Sequence, residues 1–494
     1  MFDVRPTTSP TGHDAPLVLD DDRLFPTGET ERAIARVLFA QVRGLPLVSP
    51  HGHVEAQVFA DDVPFPDPAR LFVTPDHYVT RMLHSQGVRL EELGVPRMDG
   101  AAVQTDGRAI WRLLCSNWHL YRGTPSRLWL EQELVELFDV RVRPSDETAD
   151  DLYDLIAERL ATPDFRPRAL YERFGLEVLA TTDSPLATLE HHRRLQEDAS
   201  WHGRIVPTFR PDALVEVRSS GWADRVRQLG ELTSADPTSY TGFIAALEER
   251  RAAFKERGAT ATDHGHLTAD STELSPEQAE QVFQRALAGQ ASAADADAFR
   301  AHMLGQFARM SCDDGLVMQL HPGVHRNYDT AVFQAFGPDV GFDIPTPTDY
   351  ARALHPLLNR YGTHPGFGMV LFTVDETQFS RQIAPLAGVY PSVRIGAPWW
   401  FLDAPHAMRR FREATVETAG LYNTAGFVDD TRALCSIPAR HDVARRIDCG
   451  FLAGLVAQGL LAEDEAAQTA VDLVYTLPKQ AFRIDQQEPA GVGA

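Results

Sequence analysis

The sequence predicts a (β/α)8 barrel, of the TIM-like α/β class, carrying large helical insertions. Three observations carry that expectation. Eight short apolar or β-branched runs end in polar residues able to do chemistry. Helical stretches separate them. A His-x-His pair follows the first run immediately. The runs are Leu45–Ser49, Glu177–Thr182, Ile205–Phe209, Ala259–Asp263, Leu316–Leu320, Met369–Val374, Val393–Gly396 and Gly426–Asp429. Between them lie segments such as Asp183–Glu197, with its Leu186/Leu189/His192 stripe, and Ala407–Thr418.

The first run stops at Pro50, and His51 and His53 stand just past its end. In an extended segment residues i and i+2 point to the same side, so both imidazoles can converge on one ion. Neutral imidazole suits zinc and its neighbours in the first transition row. The motif alone would also fit a turn with two exposed histidines. Its place at the carboxyl end of a barrel strand, the face on which barrel enzymes build their sites, favours the ligand role.

Residues 1–25 are rich in Pro, Thr and Asp and are expected to form a loose arm. Residues 26–485 then form one barrel domain, and 486–494 a frayed tail. Three gaps are too long for plain connections. Residues 55–175 contain the helix-like segments Ala101–Leu114, Arg127–Phe138 and Asp150–Leu160. Residues 212–257 and 271–310 flank the fourth strand, and Ser275-Pro276-Glu277 gives a helix start in the second of these.

At 494 residues and 44% hydrophobic, the chain can bury a large core. Its four cysteines, Cys115, Cys312, Cys435 and Cys449, form no Cys-x-x-Cys pair, so neither a zinc ribbon nor a disulfide framework is indicated. That usage fits reduced cytosol, and a cytoplasmic protein is expected. The start of the chain lacks the apolar stretch of a secretory signal, and no run reaches the roughly 18 apolar residues a membrane helix needs. A net charge of −22 argues against nucleic acid as partner. A small anion gripped by a few arginines inside one pocket stays compatible with it.

Each strand end carries a polar group. Thr181-Thr182-Asp183 follows the second run, with Asp183 read first as the cap of the next helix. Arg210-Pro211-Asp212 follows the third. Asp263-His264-Gly265-His266 follows the fourth and competes with His51 and His53 for a metal. The fifth leads to His321 and Arg326, the sixth to Asp375, the seventh to Trp399-Trp400-Phe401, and the eighth to Asp429-Asp430-Thr431-Arg432. A His-x-His after strand one with an Asp after strand eight is the metal-binding arrangement of the amidohydrolase superfamily, in which the Asp both borders the metal and moves protons.

The order of motifs narrows the resemblance. His51-Gly52-His53, Asp76-His77-Tyr78 with Arg81-Met82, Thr181-Thr182-Asp183, Arg210-Pro211-Asp212, Asp263-His264, His321 with Arg326, Gly337-Pro338-Asp339, Trp399-Trp400-Phe401 and Asp430-Thr431-Arg432 stand in the order of the uronate isomerases. The chain resembles a divergent branch of that family. Ser49, Gly52 and Phe209 stand where it usually has Asp, Cys and Trp. The resemblance implies aldose–ketose isomerisation of a hexuronate, D-glucuronate to D-fructuronate or D-galacturonate to D-tagaturonate, through a cis-enediol. It implies a divalent metal, with zinc expected, on His51, His53 and Asp430. Asp430 would act as base and Tyr78 as the proton shuttle. His77, Arg210 and Arg432 would hold the substrate carboxylate or neighbouring oxygens, and His321 and Trp399 would line the pocket. A small-molecule sugar acid is the expected partner, and a homo-oligomer the expected assembly.

Two other readings compete. A metal-dependent hydrolase or decarboxylase on the same barrel would use the metal to activate water, but Thr181-Thr182-Asp183 offers no Lys for a two-metal site. A sugar-acid-binding or scaffold protein would not require the full set of His51, His53, Tyr78, Asp430 and Arg432.

Overall fold

The computed structural model describes residues 16–486. The frayed tail expected at 486–494 lies, apart from Gln486, outside the described residues, as do the first fifteen residues of the arm. The rest of the arm is not loose. Leu17 and Phe25 are buried, and Leu17 N–H donates to the Arg141 carbonyl at 2.8 Å. Apolar side chains spaced among the Asp residues give this stretch anchors that its composition hides.

Among the described residues nine short strands form: β1 (Leu47–Ser49), β2 (Leu176–Ala180), β3 (Ile205–Val206), β4 (Ala261–His264), β5 (Val317–Leu320), β6 (Val324–His325), β7 (Ile344–Pro345), β8 (Met369–Leu371) and β9 (Val393–Ile395). β1, β2 and β3 pair in parallel, as do β4, β5, β8 and β9, while β6 and β7 make a small antiparallel ladder. Phe209 joins the two parallel sheets through single bridges to Asp183 and Thr262. On the far side Ile395 bridges Thr424 in parallel, Asp430 N–H donates to His51 O at 3.3 Å, and His53 N–H donates to Thr431 O at 2.9 Å. The ring therefore closes as a parallel barrel whose eighth stave is the segment 424–431. That stave is not a regular strand. Gly426 sits at φ 73°, where an added Cβ would lie 2.5 Å from Pro478 Cδ, so the chain bends instead of pairing continuously. Burial of β1, β4, β5 and β8 on both faces is what a parallel sheet covered by helices requires.

The helix expected over Asp183–Glu197 covers only Glu190–Glu197, and Asp183 does not cap it. Asp183 prolongs the sheet, its N–H bonding to Thr208 O at 2.9 Å, and Leu189 at φ 57° turns the chain into the helix. Ser275 does cap its helix, Pro276–Leu287, accepting from Gln278 N–H.

The chain divides into two compact units. One contains the barrel. The other is built from 63–166, 327–342 and the described residues up to Arg23. The sequence suggests a contiguous insertion over 55–175; the observed unit is shorter there and recruits 327–342 from beyond β6. Within it Met98 N–H donates to Ala335 O at 2.8 Å, and His84 meets Phe342 edge-on at 5.1 Å. Gly341, at φ 91°, lies so close to His77 that a Cβ would stand 3.2 Å from His77 Cβ.

Candidate metal centre and active site

β1 delivers His51 and His53 at the end of the barrel where Asp430 emerges from the eighth stave. Asp430 Oδ1 lies 2.9 Å from His53 Nε2 and 3.3 Å from His51 Nε2. The oxygen nevertheless has no aligned hydrogen-bond donor. Two imidazole nitrogens thus face one carboxylate oxygen, a donor set that could hold a shared cation. Burial opposes charge on Asp430, but the two imidazoles outweigh it and hold its carboxyl well below the usual range. Burial pulls His53 down, toward the neutral form that binds a metal. Burial also acts on His51, yet the Asp430 charge prevails and raises it.

A second layer supports His51. Its ring stacks on His321 with centroids 4.7 Å apart, and His321 stacks in turn on Phe372 at 4.1 Å and meets Trp399 edge-on at 4.6 Å. His321 Nδ1 is 2.8 Å from Asp263 Oδ1, which leaves His321 Nε2 buried with no hydrogen-bond partner. An imidazole oriented by a carboxylate on one nitrogen, with the other nitrogen presented, is the form in which histidine meets metals and substrates. Arg210 is braced between two carboxylates, Nε at 2.9 Å from Asp212 Oδ2 and Nη1 at 3.3 Å from Asp263 Oδ2. Burial works against an ionised Asp263, and Arg210 and His321 overcome it, so it stays charged.

Of the residues singled out from sequence, the barrel unit brings His51, His53, His321, Trp399 and Asp430 into this cluster, with Arg210 linked to it through Asp263. Arg432 follows Asp430 on an exposed bend. His77 and Tyr78 belong to the other unit, in the first turn of the helix His77–His84 capped by Asp76. There Tyr78 is buried, stacked on His77 and edge-on to Trp129 at 5.7 Å. Sequence reasoning gave Asp263 no role of its own, although its place at the end of β4 was a signal. It also missed Asp429, whose Oδ2 is 3.1 Å from His441 Nε2, and Asp403, whose carboxylate pairs with buried Arg440. Asp403 is pushed up to about 7 by burial, against the pull of Arg440.

Residues 29–482 match the family model for glucuronate isomerase. The chain belongs to the uronate isomerase family. It is 55% identical to the uronate isomerase of Rhizobium meliloti over 467 residues, covering 94% of this chain and 99% of that protein. The crystal structure of glucuronate isomerase from Caulobacter crescentus superposes with a TM-score of 0.94 at 46% identity, covering 96% of this chain and 98% of that one. The uronate isomerase of Thermotoga maritima superposes at 0.87 with 31% identity, covering 94% and 99%. The family membership fits the barrel and its His–His–Asp cluster. Among the described residues no helix is long and apolar enough to cross a membrane.

Proposed function

We propose that the protein is a hexuronate aldose–ketose isomerase, acting on D-glucuronate, D-galacturonate or both. The observation that carries this beyond family membership is the convergence of His51, His53 and Asp430 beside a braced Arg210. A hexuronate needs both a Lewis-acidic or hydrogen-bonding grip on its hydroxyls and a cation for its carboxylate.

His51, His53 and Asp430 would hold a divalent ion, with zinc best matched by two imidazoles and one carboxylate. The ion would supply polarisation and orientation of a substrate oxygen. Asp430, ionised at neutral pH, takes the proton from C2 as the C1 carbonyl becomes a hydroxyl, giving a cis-enediol; the proton is then returned to C1 as the C2 carbonyl forms. Tyr78 carries a proton between the C1 and C2 oxygens, a task suited to a phenol that both donates and accepts. His77, Arg210 and Arg432 bind the carboxylate and its neighbours, a planar guanidinium being matched to two carboxylate oxygens. His321 and Trp399 line the pocket. The free cysteines Cys115, Cys312, Cys435 and Cys449 support a reducing, cytoplasmic setting.

A panel of hexuronates and their matching neutral aldoses, assayed for keto-product, tests this. Isomerisation confined to the hexuronates is expected. Release of carbon dioxide or cleavage of an amide or ester without keto-acid formation would favour a hydrolase or decarboxylase on the same barrel.

A further inference from the structure

The chain contains a second His-Gly-His, His264-Gly265-His266, at the end of β4. It repeats the arrangement at the end of β1, down to an aspartate supplied by the adjoining stave: Asp430 for the first pair, Asp212, beyond β3, for this one. We propose that His264, His266 and Asp212 form a second divalent-cation site, separate from the one on His51, His53 and Asp430.

One ligand atom from each of the three residues lies within 4.8 Å of the others. His266 is only 2% exposed, and neither of its ring nitrogens has a hydrogen-bond partner. A buried imidazole left with two unpaired nitrogens costs free energy unless something binds it. His264 is fully buried, and its Nδ1 is likewise without a partner. Its Nε2 lies 2.9 Å from Thr262 Oγ1, so the ring can donate there and turn Nδ1 toward an ion. Burial lowers the pKa of both rings, keeping them in the neutral, ligating form.

Asp212 is poised to complete the set. Its Oδ2 accepts from Arg210 Nε, and both of its oxygens lie near Gly265 N–H, at 3.2 and 3.1 Å. Its Oδ1 stands 4.0 Å from His266 Nε2. That is too long for a hydrogen bond, and an approach of about half an ångström would bring it to the roughly 3.4 Å that separates two ligands on a tetrahedral zinc with bonds of about 2.0–2.2 Å. A Cβ at 265 would lie 2.8 Å from both Asp212 Oδ2 and Arg210 Nη2, so a larger residue there would push these side-chain ends aside. The other charges facing the site are Asp263, Arg210, Arg326, whose guanidinium lies beside Gly265, Arg251, which is paired with Asp314 at 2.6 Å, and Arg300, which is paired with Glu216 at 2.7 Å. Two imidazoles and one carboxylate select zinc or a neighbouring transition metal over magnesium or calcium. The ion would tie the end of β3 to the end of β4 and fix the carboxylate that braces Arg210.

The test uses the full-length protein, stripped with a chelator, reloaded with Zn2+, desalted and analysed for metal. Two zinc ions per chain are expected, falling to one in His266→Ala and to one in His51→Ala/His53→Ala. Should His266→Ala lose its fold, judged by circular dichroism, His266→Gln, which keeps the bulk, is read instead, with retention of one zinc as the expected result. A wild-type chain that saturates at one zinc, lost only on replacing His51 and His53, overturns the proposal. So does a folded His266 variant that keeps two. Loss of zinc from the His266 variants alone would leave this site standing and remove the metal from the proposed catalytic centre.

Discussion

Asp430 sets a carboxylate oxygen 2.9 Å from His53 Nε2 while its own backbone sits at φ 43°, in the left-handed region. For a residue with a Cβ that conformation costs about 1–3 kcal/mol and persists only where surrounding bonds impose it. Here they do: Asp430 N–H is tied to His51 O, and Thr431 O receives His53 N–H. The strained turn brings the carboxylate back over the strand that carries both histidines.

Asn tolerates left-handed backbone and matches Asp in size. Asp430→Asn therefore keeps the turn while removing the proton acceptor. Turnover of the hexuronate is expected to fall about 100- to 10,000-fold with the fold retained, judged by circular dichroism. Near-wild-type turnover would remove Asp430 from the role of base.

Because Asp430 raises the pKa of His51, protons compete with a metal for that ring. Zinc affinity of the His51/His53/Asp430 centre is expected to weaken steadily as pH falls. Zinc titrations of His266→Gln, which isolates this centre, at several pH values provide the measurement. A flat profile would contradict the direction assigned to His51.

Burial pushes the Asp183 carboxyl up to about 6, against the Thr181 hydroxyl that bonds it. The folded protein thus binds a proton at this site more tightly than the unfolded chain does. The resulting stabilisation is complete below the ordinary carboxyl pKa near 4 and is lost as pH rises through about 6. Asp183→Asn should flatten that segment of the stability profile, by up to about 3 kcal/mol between pH 4 and 8. Denaturation curves of both proteins across that range decide it. Parallel profiles would mean that the carboxyl is solvated.

Arg412 and Asp448 form a buried two-bond pair, both contacts at 2.7 Å, joining the helices Pro405–Ala419 and Ile437–Ala457. Asp448→Ala leaves the guanidinium buried without its anion and should destabilise the fold by about 3–5 kcal/mol. Urea denaturation measures this. A loss below about 1 kcal/mol, the range of solvent-exposed pairs, would show that water reaches the guanidinium.

What the sequence made legible follows from what is local. Apolar runs ending in polar residues marked seven regular barrel strands within a few residues, and the His-x-His spacing picked out the two imidazoles that Asp430 meets. The eighth stave was found but not its irregularity, which depends on Gly426 meeting Pro478, 52 residues away. Asp263 and His321 lie 58 residues apart and meet only because β4 and β5 are neighbours. The anchoring of β1 was equally invisible: Arg445 reaches back to the carbonyls of Val42, Arg43, Leu45 and Pro46, at 3.0–3.1 Å, and so sets where the strand bearing His51 begins. Nothing local in residues 327–342 marks the unit they join, because their packing partners are near residues 77–98. Long-range pairings of this kind leave no periodicity in the chain.

Arg210 bears on substrate class. Sequence alone suggested a cation waiting for an anion, whereas the structure shows a guanidinium already held by Asp212 and Asp263. Two carboxylates fix its plane, so it meets a substrate carboxylate without rotamer loss, but they also offset part of its charge. Arg210→Met therefore has two expected effects. It leaves buried Asp263 with His321 as its remaining partner, which lowers stability. It also lowers kcat/KM for the hexuronate by the equivalent of about 2–5 kcal/mol, as for truncating one partner of a buried charge pair. Arg432→Met is the second probe: Arg432 is exposed on its bend, whereas Arg210 braces buried Asp263, so loss of Arg432 should lower the melting temperature less while still weakening hexuronate turnover. The matching neutral aldose should be a poor substrate for all three proteins, and neither substitution should reduce its turnover as much. If the wild type isomerises neutral aldoses as well as hexuronates, the two arginines serve the fold and the metal centre, and the carboxylate is not what this pocket selects.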